Sequence, residues 1–153
     1  MVTFAPNDYG LILLGGSSDG YISIHEYKNE VWSSVQFFGH GFGVTSLSWA
    51  PPAHTASTES ALEISSNSSN LKFVSGGLDN LIRVWQTNDN QIKSFYSAAT
   101  LDGHEEFVRD VAWRPNLNTN LDTIASGGDV IIYQNLFNRI MLSIYGLDLL
   151  PIT

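Results

Sequence analysis

Short runs of alternating apolar and polar residues recur along this chain, punctuated by glycine, proline and Asp-Gly or Asp-Asn pairs. Val44-Thr45-Ser46-Leu47-Ser48-Trp49 and Val108-Arg109-Asp110-Val111-Ala112-Trp113 carry their apolar residues at matching places. A period of two predicts half-buried strands, and the prolines that follow, Pro51 and Pro115, end the pairing because they cannot donate a ladder hydrogen bond. The same pattern predicts second strands at 11–15, 71–75 and 123–126, and third strands at 21–26, 81–86 and 130–134. Fourth strands are expected at 34–38 and 97–101. No window keeps an apolar helical period with good caps, so the chain is expected to be all-β.

The runs form a repeat. Gly39-His40 with Trp49 and Pro51 returns 64 positions later as Gly103-His104 with Trp113 and Pro115, and Phe4-Ala5-Pro6 occupies the Trp-x-Pro place in an earlier copy. Gly15-Gly16, Gly76-Gly77 and Gly127-Gly128 follow the second strands. Asp19-Gly20 and Asp79-Asn80 are read as two-residue type I′ turns, whose central residues both need positive φ. A Gly-His opening with a strand pair that ends in Trp85 is the mark of a WD-repeat β-propeller. A blade takes about 40 to 45 residues, so 153 residues hold about three blades of an incomplete, open propeller. The units fall at about 1–29, 30–93 and 94–135, with a polar insertion loop at 52–70. The first copy is expected to begin part-way through a blade, and 136–153 is an apolar tail with no place in the repeat. Open sheet edges expose unpaired backbone groups that another strand or chain should cover.

Composition narrows the function. Seven Lys and Arg against fifteen Asp and Glu give a net charge of -8 with no basic cluster, which disfavours nucleic acid, since neutralising phosphates needs a concentrated basic face. The absence of cysteine removes disulfides, thiolate metal sites and cysteine nucleophiles. The first residues lack a positive region followed by an apolar run, and no stretch is apolar enough for a membrane helix, so neither a signal peptide nor membrane insertion is expected.

Four residues of the middle unit are expected to share one buried polar network: His40 before the first strand, Ser75 on the second, Asp79 in the turn and Trp85 on the third. Asp79 would accept from the imidazole, the other ring nitrogen would meet the Ser75 hydroxyl, and that hydroxyl would accept from the indole N–H. A Ser, His and Asp set also suggests a hydrolase triad. A nucleophilic serine, however, needs an exposed Oγ and an oxyanion hole, and no G-x-S-x-G elbow is present. The network is therefore read as structural, with no catalytic, cofactor or metal residue. In the first unit Gly15 and His25 stand in the Ser and Trp places; in the third, His104, Ser126, Asp129 and Tyr133 are weaker equivalents. The histidines at 25, 40, 54 and 104 are too dispersed for a zinc pattern. Glu105, Glu106, Arg109 and Asp110 read as a solvated rim, and Trp32, Phe37, Phe38 and Phe42 as either inter-blade packing or interface anchors.

Beyond the repeat signature, the wording of the units is specific. Ser17-Ser18-Asp19-Gly20-Tyr21-Ile22-Ser23-Ile24, Gly43-Val44-Thr45-Ser46-Leu47-Ser48-Trp49-Ala50-Pro51, Phe73-Val74-Ser75-Gly76-Gly77-Leu78-Asp79-Asn80 and Val108-Arg109-Asp110-Val111-Ala112-Trp113 resemble the Sec-thirteen family of WD-repeat proteins over about residues 1–135. The resemblance implies a non-catalytic scaffold subunit without cofactor, of the COPII coat in transport from the endoplasmic reticulum to the Golgi and of the nuclear-pore outer ring. Its partner would be a helical-solenoid coat subunit or nucleoporin that donates a blade to an open six-bladed propeller. Because the partner-accepting blades lie at the two ends of the family fold, a central fragment is expected to lack them. The alternative is another WD-repeat adaptor, such as a ubiquitin-ligase substrate receptor.

Overall fold

The computed structural model describes residues 1–52, 70–89, 91–115, 122–129 and 147–152. The alternating runs become β1 (Val2–Phe4), β2 (Leu11–Gly16), β3 (Tyr21–Lys28), β4 (Val31–Phe38), β5 (Val44–Trp49), β6 (Lys72–Gly77), β7 (Leu81–Gln86), β8 (Tyr96–Asp102), β9 (Val108–Trp113), β10 (Asp122–Gly128) and β11 (Leu147–Ile152). Single 3₁₀ turns at Asn7–Tyr9 and Ile92–Ser94 are the helical elements among the described residues. Strands pair antiparallel into three sheets, in the orders β1-β2-β3-β4, β5-β6-β7-β8 and β11-β10-β9. This is the partial propeller that the repeat implied, a succession of small antiparallel sheets packed face to face.

The sheets are out of phase with the sequence units by one strand. β4 leads up to Gly39-His40 in sequence, yet it pairs with β3 along its whole length, from Tyr21↔Phe38 to Lys28↔Val31. The first sheet therefore has four strands, although its sequence unit was expected to begin part-way through a blade. Hydrogen-bonding need explains the placement: the outer edge of β3 must be paired, and the nearest strand in sequence reaches it through a two-residue turn.

That turn is Asn29-Glu30, and both residues have positive φ (53° and 64°), as type I′ requires. The Asp-Gly and Asp-Asn pairs are different, which corrects the sequence reading. Only Gly20 and Asn80 have positive φ, so neither pair is a type I′ turn. The link from β2 to β3 is a four-residue loop, Ser17 to Gly20, in which the Gly20 N–H donates to Ser17 O at 3.2 Å. The aspartates instead use their carboxylates within the loop. Asp19 accepts from the Ser17 hydroxyl, and Asp79 Oδ1 from the Leu81 N–H at 3.3 Å.

Two apolar clusters lie between the blades. Ile12, Leu14, Ile22 and Ile24 of the first blade meet Leu47, Trp49, Phe73 and Trp85 of the second. Val74, Ile82 and Val84 on the opposite face of the second blade meet Val108, Val111 and Trp113 of the third. Alternation along each strand thus serves two interfaces at once, and a middle blade is apolar on both faces. Polar ties cross the second junction: Ser46 donates to Asp110 (2.5 Å), the Trp113 N–H to Ser48 Oγ (2.9 Å), and Lys72 to Asp122 (3.1 Å).

In the third blade, Leu147–Ile152 pairs with β10 from Asp122↔Ile152 to Gly127↔Leu147. This segment, left without a place by the repeat pattern, takes the position beside β10 that third strands hold in the other blades. The physical reason is the free edge of β10, whose donors and acceptors need a partner strand. Among the described residues β11 is an edge strand, where the missing N–H of Pro151 is tolerated. The strand expected at 130–134, and the insertion loop but for its first and last residues, lie outside the described residues.

Candidate functional site

The middle blade gathers the four expected residues. His40 enters just after β4, Ser75 lies on β6, Asp79 in the β6–β7 loop and Trp85 on β7. His40 Nδ1 is 2.7 Å from Asp79 Oδ1, and Nε2 is 2.7 Å from Ser75 Oγ. Trp85 Nε1–H donates to Ser75 Oγ at 2.8 Å. His40 and Ser75 are fully buried (0% exposed), so every polar atom there must find its partner inside the protein.

Donor and acceptor counting sets the protonation. The Ser75 oxygen accepts from the indole and gives its one proton to His40 Nε2, which leaves Nδ1–H to donate to Asp79. The imidazole is then neutral. Burial pushes its pKa below the ordinary value, against the opposing pull of Asp79, and the nearby Arg83 adds to the lowering. For Asp79 burial works upward, but the Gly41 N–H, Arg83 and His40 outweigh it and hold the carboxyl down at about 2.

Arg83 is the member that sequence reasoning missed. Its Nη1 donates to Asp79 Oδ2 at 2.8 Å and approaches His40 Nδ1 at 2.9 Å. A usable signal was present: Arg83 lies two residues before Trp85 on the same strand, and alternation puts both side chains on one face. Asp79 thus takes a guanidinium, an imidazole and the backbone N–H groups of Gly41 (3.0 Å) and Leu81 (3.3 Å), joining the loop before β5 to the loop after β6.

The third blade repeats one link of this chain, His104 Nε2 to Ser126 Oγ at 2.9 Å. Asp129 takes a bidentate pair from Arg109 in the exposed rim, Nε to Oδ1 at 2.8 Å and Nη2 to Oδ2 at 2.5 Å. Tyr133 lies outside the described residues. In the first blade, Gly15 and His25 keep the Ser and Trp register positions without the hydrogen bonds, since glycine has no hydroxyl to offer. Among the described residues, no group of three or more His, Asp or Glu could hold a metal, and no helix is long and apolar enough to cross a membrane.

The four surface aromatics differ in burial. Phe37 packs on Trp85 with ring centroids 4.9 Å apart, which makes it part of the inter-blade core. Trp32, Phe38 and Phe42 are exposed. Trp32 stacks at a tilt on Tyr27 (5.2 Å) and Phe38 edge-on to Tyr21 (5.5 Å), which leaves an aromatic surface on the first blade.

Blades of this size, a buried His-Ser-Trp relay and a Gly-His before the first strand define a repeat of the WD type. Residues 32–86 and 95–129 match the family model for the WD domain, G-beta repeat, and the chain belongs to that family. Within it, the affinity is with the Sec13 branch, of which the chain spans a part. It is 40% identical over 120 residues to the protein transport protein sec13 of Emericella nidulans, covering 76% of this chain and 37% of the relative. It is 42% identical over 116 residues to SEC13-2 of Candida glabrata, covering 74% and 37%. For SEC13 of Cryptococcus neoformans var. neoformans, identity is 41% over 122 residues, covering 76% and 36%. The chain therefore spans little more than a third of the length of these curated relatives.

Proposed function

We propose that this chain is a scaffold element of vesicle-mediated protein transport between the endoplasmic reticulum and the Golgi, acting by protein–protein binding on the cytoplasmic face of the membrane. The observation that carries this reading is the identity of about 40% over three quarters of the chain with proteins named for protein transport. The partner class is a helical-solenoid coat subunit. The nuclear-pore role rests on the family resemblance alone.

Catalysis has no part in this reading. The Ser75 hydroxyl is fully buried and held between His40 and Trp85, so a substrate carbonyl has no route to its Oγ. The test is binding of the purified chain to a purified helical coat subunit, followed by sedimentation. Co-sedimentation supports the coat reading, whereas binding only to cullin-type adaptors would replace it with the ubiquitin-ligase receptor. Hydrolysis of a panel of esters that disappears in Ser75→Ala with folding intact would overturn the non-catalytic assignment.

A further inference from the structure

β4 is the outer strand of the first sheet, and among the described residues it is paired on one side only, by β3. Its eight residues, Val31 to Phe38, include no charge and no proline, and its ladder with β3 runs from end to end without a bulge. Charges, prolines and bulges are what keep an edge strand from pairing with another chain. β8, the corresponding edge of the second sheet, is protected: it ends in exposed Asp102, and its ladder with β7 slips between Val84 and Trp85. Blades in this chain meet through their faces, so a further blade packed on the first would lie against its face and leave this outer edge as it stands.

Register shows which backbone groups the edge offers. The Gly39 N–H donates to Gly20 O at 2.9 Å, one step beyond the Tyr21↔Phe38 pair. Bonded and non-bonded pairs alternate along an antiparallel ladder, so Val31, Ser33, Val35 and Phe37 are the residues of β4 that bond to β3. The N–H and C=O groups of Trp32, Ser34, Gln36 and Phe38 therefore point outward. The side chains of these four are exposed, and they read symmetrically about Val35: aromatic, polar, polar, aromatic. Each aromatic end has a ring beside it on β3, Tyr27 next to Trp32 (5.2 Å) and Tyr21 next to Phe38 (5.5 Å).

We propose that this edge pairs with the same edge of a second copy of the chain, antiparallel, about a two-fold axis through Val35. Trp32 then lies opposite Phe38 of the second copy and Ser34 opposite Gln36, and these are hydrogen-bonded pairs because both strands turn the same residues outward. Rows of the two sheets become continuous. Tyr27 and Trp32 of one copy line up with Phe38 and Tyr21 of the other, twice, around a centre in which the Gln36 amide meets the Ser34 hydroxyl. Moving the axis to Ser34 or Gln36 keeps the backbone in phase but sets the aromatic rings against other neighbours, so side-chain matching selects the register. With no charge on β4, the strand meets its copy without repulsion. The contact is isologous, so it consumes the edge in both copies and stops at the dimer.

Sedimentation of the full chain over a wide concentration range should show a species of twice the 16.8 kDa chain mass. Ser34→Lys with Gln36→Lys changes two exposed side chains and places lysine opposite lysine, so this variant should be monomeric with its circular dichroism unchanged. Ser34→Glu with Gln36→Glu should be monomeric too, and an equal mixture of the two variants should restore the dimer. Because the chain has no cysteine, Ser34→Cys and Gln36→Cys proteins can be mixed and oxidised to read the register. The disulfide should join one of each, since the two cysteines then face each other across the ladder while like positions are too far apart. A dimer that persists in the lysine variant, or a disulfide that joins like with like, would overturn the proposal. A chain that stays monomeric at every concentration would overturn it as well and leave the edge to a strand of another protein.

Discussion

Gly77 lies directly against the imidazole of His40: a Cβ on Gly77 would stand 2.1 Å from Nδ1 and 2.6 Å from Asp79 Oδ1. Its φ is not positive, so the glycine is required by space and not by backbone conformation. Gly77→Ala should force the His40–Asp79 bond apart and destabilise the protein by about 1 to 3 kcal/mol, the usual cost of overpacking. Gly103→Ala is the control, because nothing lies within 4 Å of its added carbon. Urea unfolding midpoints of the two variants should differ clearly, and equal midpoints would remove the spatial argument.

Ser75 is the hinge of the relay, since one hydroxyl serves both the indole and the imidazole. Ser75→Ala should cost about 1 to 3 kcal/mol, the penalty for leaving buried polar groups unsatisfied. Trp85→Phe keeps a ring against Phe37 and Phe73 but deletes the N–H and part of a buried ring system, so the cavity adds to the lost hydrogen bond and a loss at least as large as that of Ser75→Ala is expected. Chemical denaturation of both variants checks the order.

Acid should weaken the network in two stages. His40 has a lowered folded pKa, so on acidification the unfolded chain takes up its proton first, and stability falls as the pH drops below about 6.5. Asp79 has a folded pKa of about 2, below its unfolded value near 3.8; its contribution is complete above the unfolded value and is lost as the pH falls through the folded one. Unfolding free energy measured between pH 7.5 and 3 should fall throughout. In His40→Gln the upper stage should be absent and the lower stage retained.

Arg83 helps to hold the Asp79 carboxyl down, and in Arg83→Met that carboxyl should titrate at a higher pH than in the parent chain. The acid limb of the stability curve should therefore move upward in pH. An unchanged limb would show that His40 and the two backbone N–H groups suffice.

Much of the fold was legible because its signals are local. Alternation placed β5, β7 and β9 at their observed ends, and the repeated Gly-His and Trp-x-Pro marks set the three blades in register. The His40, Ser75, Asp79 and Trp85 set was legible for the same reason, as unmatched polar residues at fixed places in an apolar unit. Arg83 escaped because a charged residue on a strand reads as solvent-facing until the loop above it is known to curl back. The turns were misread because Asp-Gly and Asp-Asn satisfy several loop geometries, and loop length, a property of the paired strands, selects among them.

Period, composition and repeat spacing by themselves determined an all-β fold and four of the five residues of its polar network, His40, Ser75, Asp79 and Trp85, because strand alternation and buried-polar pairing are short-range requirements. Tertiary structure alone decided which sheet β4 joins, that 147–152 lies along β10, and that Arg83 reaches Asp79. Those outcomes depend on which edges and faces meet, and a strand's own sequence says that it needs a neighbour without saying which one.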